Sequence, residues 1–359
     1  MRQNTYRSII SGADKRFRAS FLRIILRPAG ILYGLGMRIR NLMYDLGILS
    51  SCSVEVPVIS IGNITTGGTG KTPLVIWMCN YLHQKGIRCA ILTRGYKTQP
   101  EQISDEPALL TKACPGTAVV VNADRISGAR KAIEQHQAQV LVLDDGFQHR
   151  KLKRDLDIVA IDATCPFGYN RVLPAGLLRE PKSCLKRASA AVITRFDQAD
   201  EAQIGRIEQE IHRYAPGIPI AKAAHRHTHA ATYSNAAIEL DQLRGKPVLA
   251  FCGIGNPNAF FDRLRRNGID TVETIAFNDH HLYTTQDLKQ IFSRADACGA
   301  EAIVCTQKDW VKSALLAPDR KDRIFAYLVM ELEFWDGLDT ITGLVDNLPI
   351  GNLNQTAKP

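Results

Sequence analysis

Two kinds of sequence pattern are missing from this chain, and each absence removes a class of protein. Nine cysteines occur among 359 residues, but no two have the C-x-x-C spacing of a metal or redox site. We therefore expect reduced thiols, as in cytosolic proteins. In the basic N-terminal segment the longest uncharged run is residues 28–37, far too short for a helix that spans a bilayer. Neither an internal repeat nor a long disordered insert is predicted.

Positive charge is present but concentrated at one end. The net charge is +9, and the first fifty residues supply +7 of it, from nine Arg or Lys and two Asp. Apolar residues spaced by three and four predict one apolar helical face there, and Pro28 is expected to divide the stretch into two helices. A basic amphipathic segment is typical of contact with an anionic membrane surface, and no nucleic-acid partner is expected. A signal peptide and an ordinary helix packed on the domain are the alternatives.

The most informative stretch is a glycine-rich run between a predicted strand at 56–61 and a helix that begins near residue 73. In this context backbone N–H groups cradle phosphate oxygens and the helix N-terminus adds positive charge. Lys71 is expected to reach the outer phosphates of ATP, and Thr72 to ligate Mg²⁺. The strict pattern has glycine where this chain has Thr65. The predicted nucleotide-binding residues are Thr65, Thr66, Gly67, Gly68, Thr69, Gly70, Lys71 and Thr72.

Strand-like and helix-like segments alternate along the chain, which predicts a mostly parallel sheet with helices on both faces. A second α/β region follows a His-rich stretch, residues 224–229, that we interpret as an exposed strand or linker and not as a metal site. The predicted first-region strands are 56–61, 89–93, 117–122, 140–143, 157–161 and 190–194, and the helices are about 73–85, 106–113, 126–137 and 200–213. The second region has strands near 246–252, 269–276, 302–306 and 324–330, and a helix starting near Asn258.

Acidic residues and a histidine pair supply the other candidate site residues. Asp144 and Asp145 follow a buried strand beside the predicted phosphate loop, where carboxylates hold Mg²⁺ directly or through water. The segment Ser104-Asp105-Glu106-Pro107 reads locally as a helix cap, and nothing local identifies Asp105 as catalytic. His280 and His281 are adjacent, so at most one of them is expected to face a given site.

Taken in order, the motifs of the chain resemble those of tetraacyldisaccharide 4′-kinase, the lipid A 4′-kinase of Gram-negative bacteria. The resemblance covers about residues 20–345, and Thr65 is the usual residue of that family in the loop. Two of the motifs are quite specific to the family, the Asp-Asp-Gly-Phe-Gln and Leu-Pro-Ala-Gly-x-Leu-Arg-Glu-Pro segments. The matching segments are 61–73, 93–96, 104–107, 144–149, 171–181, 253–257, 279–280 and 306–309.

The resemblance implies transfer of the ATP γ-phosphoryl group to the 4′-hydroxyl of a tetraacylated glucosamine disaccharide 1-phosphate. It implies two α/β domains joined by a β-ribbon linker, with the active site in the cleft between them, at the cytoplasmic face of the inner membrane. Asp105 matches the catalytic carboxylate of the family and His280 the histidine that pairs with it. Further matches, to residues around the metal, the phosphates or the acceptor, are Glu106, His149 and Arg179, with Glu106 predicted at the metal and Arg179 at the nucleotide.

Two rival functions use similar loops. Membrane-associated ATPases of the partitioning type share Gly-Gly-x-Gly-Lys-Thr, but they usually carry lysine where this chain has Thr66. A GTPase would need Asn-Lys-x-Asp, and this chain offers only Gln307-Lys308-Asp309. The predicted organisation is an N-terminal membrane-docking segment (1–50), a phosphate-loop kinase domain (51–225), a second α/β domain (226–345) and a C-terminal tail (346–359).

Overall fold

The computed structural model describes residues 3–95, 105–233, 237–255, 257–279, 281–317 and 322–351, with backbone only for residues 3–5, 105 and 106. The helices are α1 Gln3–Ser11, α2 Phe17–Asp45, α3 Lys71–Gln84, α4 Asp105–Ala113, α5 Arg125–His136, α6 Glu201–Tyr214, α7 Leu240–Leu243, α8 Pro257–Arg266, α9 Thr285–Ala297, α10 Gln307–Ser313 and α11 Leu338–Asp346. The strands are β1 Val58–Gly62, β2 Cys89–Thr93, β3 Ala118–Val121, β4 Val140–Asp144, β5 Leu156–Asp162, β6 Ala190–Thr194, β7 Ile220–Ala231, β8 Ala237–Glu239, β9 Val248–Cys252, β10 Thr271–Ala276, β11 Ala302–Thr306 and β12 Ile324–Asp336.

The chain divides into two compact units. The first unit comprises residues 1–95, 114–225 and 332–359, and the second comprises 96–113 and 226–331. The chain passes between the units at four points, and two of them lie in strands, one within β7 and one within β12, as a β-ribbon linker requires. The other two passages bound residues 96–113. The domain boundaries given above stay a prediction.

The first unit contains a parallel sheet in the order β3-β2-β4-β1-β5-β6-β7. Every residue of β1, β2, β4, β5 and β6 is buried, as expected for strands that are covered by helices on both faces. The register places Ile61 of β1 opposite Asp144 of β4. The predicted mostly parallel α/β fold is therefore confirmed, and the carboxyl ends of β1 and β4 lie side by side.

The second unit contains parallel sheet in the order β10-β9-β11-β12, and β8 pairs antiparallel with the end of β7. Two apolar cores cover it, one around Phe260 and Leu264 and the other around Phe251 and Trp310. The His-rich stretch lies in β7, as predicted, although His225 is buried and not exposed. The predicted helix near Asn258 is α8.

The prediction that Pro28 divides the N-terminal stretch is wrong, because α2 runs through it as one 29-residue helix. Proline removes one N–H and crowds the carbonyl of the residue four positions earlier, which here is Ile24. Ile24 is exposed, so solvent can replace the hydrogen bond that its carbonyl loses. No helix of the described residues is both long enough and apolar enough to cross a membrane.

Helix α2 buries small residues and exposes large ones. Its buried residues are Ala19, Gly30 and Gly34. A Cβ at Gly30 would lie 2.9 Å from Ala175 Cβ, and one at Gly34 would lie 3.2 Å from Val172 Cγ2, so the helix packs closely on the loop at 172–175. The large apolar side chains that it exposes are Phe17, Phe21, Ile24, Ile25, Ile31, Leu32, Leu35, Ile39 and Leu42.

Candidate active site

The glycine-rich loop connects buried strand β1 to helix α3, as predicted. Gly67 and Gly70 have φ values of 120° and 79°, a region that residues with a Cβ rarely adopt. A Cβ at Gly70 would also lie 2.6 Å from the His225 ring. Inside the loop, the Asn63 amide donates to Thr69 Oγ1 at 2.8 Å. Glycine is therefore required at these positions for the turn to form and to direct its N–H groups inward.

The family-specific segment at 171–181 supports the loop from outside. Thr66 N–H donates to the Leu177 carbonyl at 2.7 Å, and Arg179 N–H donates to the Ile64 carbonyl at 2.8 Å. On the other side, the Thr194 hydroxyl donates to the Thr69 carbonyl at 2.8 Å. The loop backbone is thus held by hydrogen bonds from both flanks, which preorganises it for a ligand.

Three charged side chains meet at the start of α3. Lys71 Nζ lies 3.4 Å from Asp145 Oδ1, and Arg179 Nη1 donates to Asp145 Oδ2 at 2.7 Å. Burial raises the pKa of Asp145, but the charges of Lys71 and Arg179 outweigh it and bring the pKa below its ordinary value. Asp145 has a φ of 53°, an unfavourable conformation for a residue with a side chain. Such strain commonly marks a functional position, and the structure brings Lys71, Asp145 and Arg179 together as one cluster.

Asp144 is the last residue of β4 and is buried. The Thr93 hydroxyl donates to its Oδ2 at 3.5 Å. Arg125, which the sequence did not single out, is also buried, and the negative charge of Asp144 acts on it. Burial lowers the pKa of Arg125 to about 10, and Asp144 opposes that shift. Since Asp144 ends the strand beside β1, its carboxylate lies at the sheet edge from which the loop emerges.

A buried polar atom near this edge, His149 Nε2, has no hydrogen-bond partner within the described part of the chain, whereas Asp145 Oδ1 is ion-paired with Lys71. Burial lowers the pKa of His149 to about 4, and the charges of Arg125 and Arg154 act in the same direction, so its ring is neutral at pH 7. Buried polar groups without partners are rare in folded proteins and are typically satisfied by a ligand, an ion or water. The edge therefore fits a bound nucleotide and its metal ion.

The structure adds further arginines that the sequence motifs did not identify. Arg195, directly after β6, donates to the Gly68 carbonyl and pairs with Asp162. Arg7 of α1 reaches the loop as well, since a Cβ at Gly67 would lie 2.8 Å from its Nη2. The position of Arg195 at the carboxyl end of a strand was a usable signal, whereas nothing in the sequence relates Arg7 to a loop sixty residues later.

Three predicted site residues fall where the structure gives no side-chain detail. Asp105 and Glu106 begin α4, and only their backbone is described; His280 lies outside the described residues. His281 is described, and its Nε2 lies 3.2 Å from Asp287 Oδ2 while its ring stacks on Phe277. His281 therefore already has structural partners.

No group of three or more His, Cys, Asp or Glu suitable for a metal ion occurs within the described ranges. Mg²⁺ in phosphoryl-transfer sites needs no such cage, because substrate phosphates and water complete its coordination around one or two carboxylates. Asp144, with Thr72 in the first turn of α3, is compatible with that arrangement. All nine cysteines are free, and none of them lies in this cluster.

Comparison with known proteins identifies the family. The sequence model described as tetraacyldisaccharide-1-P 4′-kinase matches residues 22–347. Tetraacyldisaccharide 4′-kinase of Pelobacter propionicus is 38% identical over 325 residues, with 86% of this chain and 88% of the relative covered. The same enzyme of Geobacter sulfurreducens is 38% identical over 331 residues, covering 87% and 90%.

A solved structure agrees with the sequence relatives. The crystal structure of LpxK from Aquifex aeolicus in complex with ATP superposes with a TM-score of 0.74 at 30% identity. The match covers 90% of this chain and 98% of that one. With its phosphate loop, its acidic strand end and its arginine cluster, this chain belongs to the tetraacyldisaccharide 4′-kinase family.

Proposed function

We propose that this protein transfers the γ-phosphoryl group of ATP to the 4′-hydroxyl of tetraacyldisaccharide 1-phosphate, and so forms lipid IVA in lipid A biosynthesis. The observation that carries the proposal is the Lys71–Asp145–Arg179 cluster at the N-terminus of α3, in a chain of this family. The ATP bound by the Aquifex aeolicus relative supports ATP as the donor.

The donor half of the reaction is assigned to the first unit. The N–H groups of residues 67–72 cradle the phosphates, since that of Thr66 is already bonded to the Leu177 carbonyl, and Lys71 neutralises the outer phosphates. Asp145 holds the Lys71 and Arg179 side chains close to the loop before ATP arrives, so they need little reorganisation when it binds. Arg179 then stabilises charge on the transferring group.

Mg²⁺ supplies charge neutralisation at the phosphates when it is bound. The residues that would hold it are Thr72, Asp144 and Asp145, with Glu106 as a further candidate. Asp144 is the best placed of these, since it is the last residue of β4 and its carboxylate lies at the sheet edge beside the loop.

The acceptor half of the reaction needs a base, because a sugar hydroxyl is a poor nucleophile until its proton is accepted. We assign this role to Asp105, oriented by His280. Asp105 belongs to the second unit, and both residues match the family positions. The neighbouring His281 is already paired with Asp287, which supports His280 as the catalytic ring.

We further propose that α2 binds the cytoplasmic face of the inner membrane. At about 100° per residue, its exposed apolar side chains fall on one stripe of about 120°. Phe17, Ile31 and Leu32 are 84%, 72% and 70% exposed, values that are costly in water for side chains of this size. The net charge of +7 in residues 1–50 complements anionic lipid headgroups. An anionic bilayer is therefore the partner that satisfies both the apolar stripe and the surrounding arginines.

Phosphoryl transfer tests the assignment. Purified protein would be mixed with γ-labelled ATP and the tetraacylated disaccharide 1-phosphate, with and without Mg²⁺, and the lipids separated by thin-layer chromatography. We expect labelled lipid only with both acceptor and Mg²⁺. Labelled inorganic phosphate released at the same rate without acceptor, and no labelled lipid, would instead indicate an ATPase of the partitioning type.

A further inference from the structure

Asp309 is a buried carboxylate that the proposed chemistry does not use. It is 0% exposed, and three groups donate to it. Gly253 N–H and the Tyr283 hydroxyl both donate to Oδ1 at 2.9 Å, and the Thr306 hydroxyl donates to Oδ2 at 2.5 Å. Burial raises the pKa of Asp309, and the three donors act against that rise. A carboxylate placed in the core at this cost is expected to have a definite task.

The Oδ1 bonds join two loops that are distant in sequence. One is the turn after β9, at 253–255, and the other runs from Phe277 to Tyr283 after β10. The two loops also touch directly, since a Cβ at Gly253 would lie 3.1 Å from the Asn278 carbonyl and 3.1 Å from His281 Cβ. A Cβ at Gly255 would lie 3.2 Å from Asp279 Oδ2. Asp309 therefore links the turn after β9 to the Tyr283 side chain, and that turn in turn contacts Asn278 and His281, which precede and follow His280 in the sequence.

The helix that carries Asp309 contacts a second catalytic element. α10 packs against α4, whose first residue is Asp105. Lys112, in the last turn of α4, places its Nζ 5.1 Å from the Trp310 ring centroid and 4.8 Å from that of Tyr327. Trp310 follows Asp309 directly and is buried. One short helix thus contacts both the loop that contains His280 and the helix that begins at Asp105.

We infer that Asp309 is a positioning residue for the reaction, and that α10 is the common support on which the Asp105 helix and the His280 loop are aligned. This inference rests on the proposed roles of Asp105 and His280. It also assigns a purpose to two family motifs that the mechanism left unused, Gly253-Ile-Gly255 and Thr306-Gln-Lys-Asp309.

The expected effect follows from the geometry that proton transfer needs. A base must lie within hydrogen-bond reach of the hydroxyl, and a displacement of about 1 Å can lower the rate about 10²-fold. Asp309→Ala removes the acceptor shared by the two loops. We expect kcat to fall about 10- to 100-fold while the KM for ATP stays within about twofold, because the phosphate loop belongs to the other unit.

Asp309→Asn is the matched control. Its amide oxygen can still accept from Gly253 and Tyr283, and its NH₂ can donate to the Thr306 hydroxyl. We therefore expect kcat within about threefold of wild type. If Asp309→Ala does not fold, Tyr283→Phe removes a single donor from the same network, and a kcat loss of about three- to tenfold is expected, with thermal unfolding measured alongside.

A double-mutant cycle with His280→Ala tests whether Asp309 acts through that residue. We expect His280→Ala to lower kcat strongly and Asp309→Ala, or Tyr283→Phe, to lower it less than twofold further in that background. Equal losses in both backgrounds would overturn the positioning role and leave the role of His280 intact. An unchanged kcat in His280→Ala alone would overturn the proposed role of His280, and the positioning inference with it.

Discussion

Helices α2 and α3 belong to the same unit, but α3 buries its large apolar side chains and α2 exposes most of its own. α3 buries Leu74, Val75, Met78 and Leu82 against the sheet. α2 fully buries only alanine and glycine, and it exposes its four isoleucines and three of its five leucines. Burying a leucine, valine or methionine side chain stabilises the fold by about 1.5–3 kcal/mol. The apolar face of α3 therefore contributes to folding, whereas the exposed apolar face of α2 remains available to bind a bilayer. The contrast separates the residues that stabilise the protein from those that we propose bring it to its lipid substrate.

The sharpest prediction concerns the first residue of α3. Lys71→Ala removes the charge that neutralises the outer phosphates, so we expect kcat for lipid phosphorylation to fall about 10³-fold. Lys85→Ala, just after the other end of α3 where Lys85 pairs with Asp346, is the control and should keep its activity. The thin-layer assay with labelled ATP measures both variants. Near-normal turnover of folded Lys71→Ala would contradict the assignment of the loop.

The second prediction concerns stability and the buried face of α3. Leu82 is fully buried, so Leu82→Ala is expected to lower the free energy of unfolding by about 2–5 kcal/mol. Leu32→Ala on α2 makes the same chemical change at an exposed position and should alter it by less than about 0.5 kcal/mol. Urea unfolding of the two proteins in the absence of lipid gives both values. Similar losses of unfolding free energy in the two variants would mean that α2 and α3 contribute equally to stability through these leucines.

The third prediction concerns the exposed face of α2, where substitutions are expected to change membrane binding and not stability. Leu32→Glu together with Leu35→Glu removes two apolar contacts with the bilayer and adds repulsion from anionic headgroups. We expect vesicle affinity to fall about 100-fold or more, with unfolding in water unchanged. Co-sedimentation with vesicles of anionic phospholipid measures the change. A double variant that sediments like the wild type would contradict the docking role of α2.

The smallest effect tests how closely α2 is packed on the first unit. Gly30→Ala places a methyl group 2.9 Å from Ala175 Cβ, so the helix or the loop must shift, and we expect a loss of about 1–3 kcal/mol. Gly36→Ala, whose Cβ would meet nothing within 4 Å, should be neutral or stabilising by up to about 1 kcal/mol. Thermal unfolding distinguishes the two. A Gly30→Ala protein as stable as Gly36→Ala would show that the contact is loose.

The two helices also show what sequence can predict. Strand β1, the loop and α3 are predictable because local pattern determines each of them: a short apolar run, a glycine-rich turn and a buried helix. α2 is predictable as an amphipathic helix, but its continuity through Pro28 depends on solvent reaching the Ile24 carbonyl, which only the fold reveals. Arg125 and Arg195 reach the site from other parts of the sheet, and their roles depend on strand order. Asp309 occurs in a family-matching segment and in an incomplete guanine motif, but the sequence assigns it no role, since its partners Gly253 and Tyr283 are distant in sequence.

The most direct test of the account compares one acceptor in two physical states. Wild type and the Leu32→Glu, Leu35→Glu variant would each phosphorylate tetraacyldisaccharide 1-phosphate embedded in anionic vesicles, and a short-chain analogue dissolved as monomers. If α2 docks the enzyme on the membrane, the variant will lose most of its activity on the vesicles and keep wild-type kcat on the soluble analogue. Equal activity of the two proteins on vesicles, or an equal loss on both acceptors, would contradict this docking role.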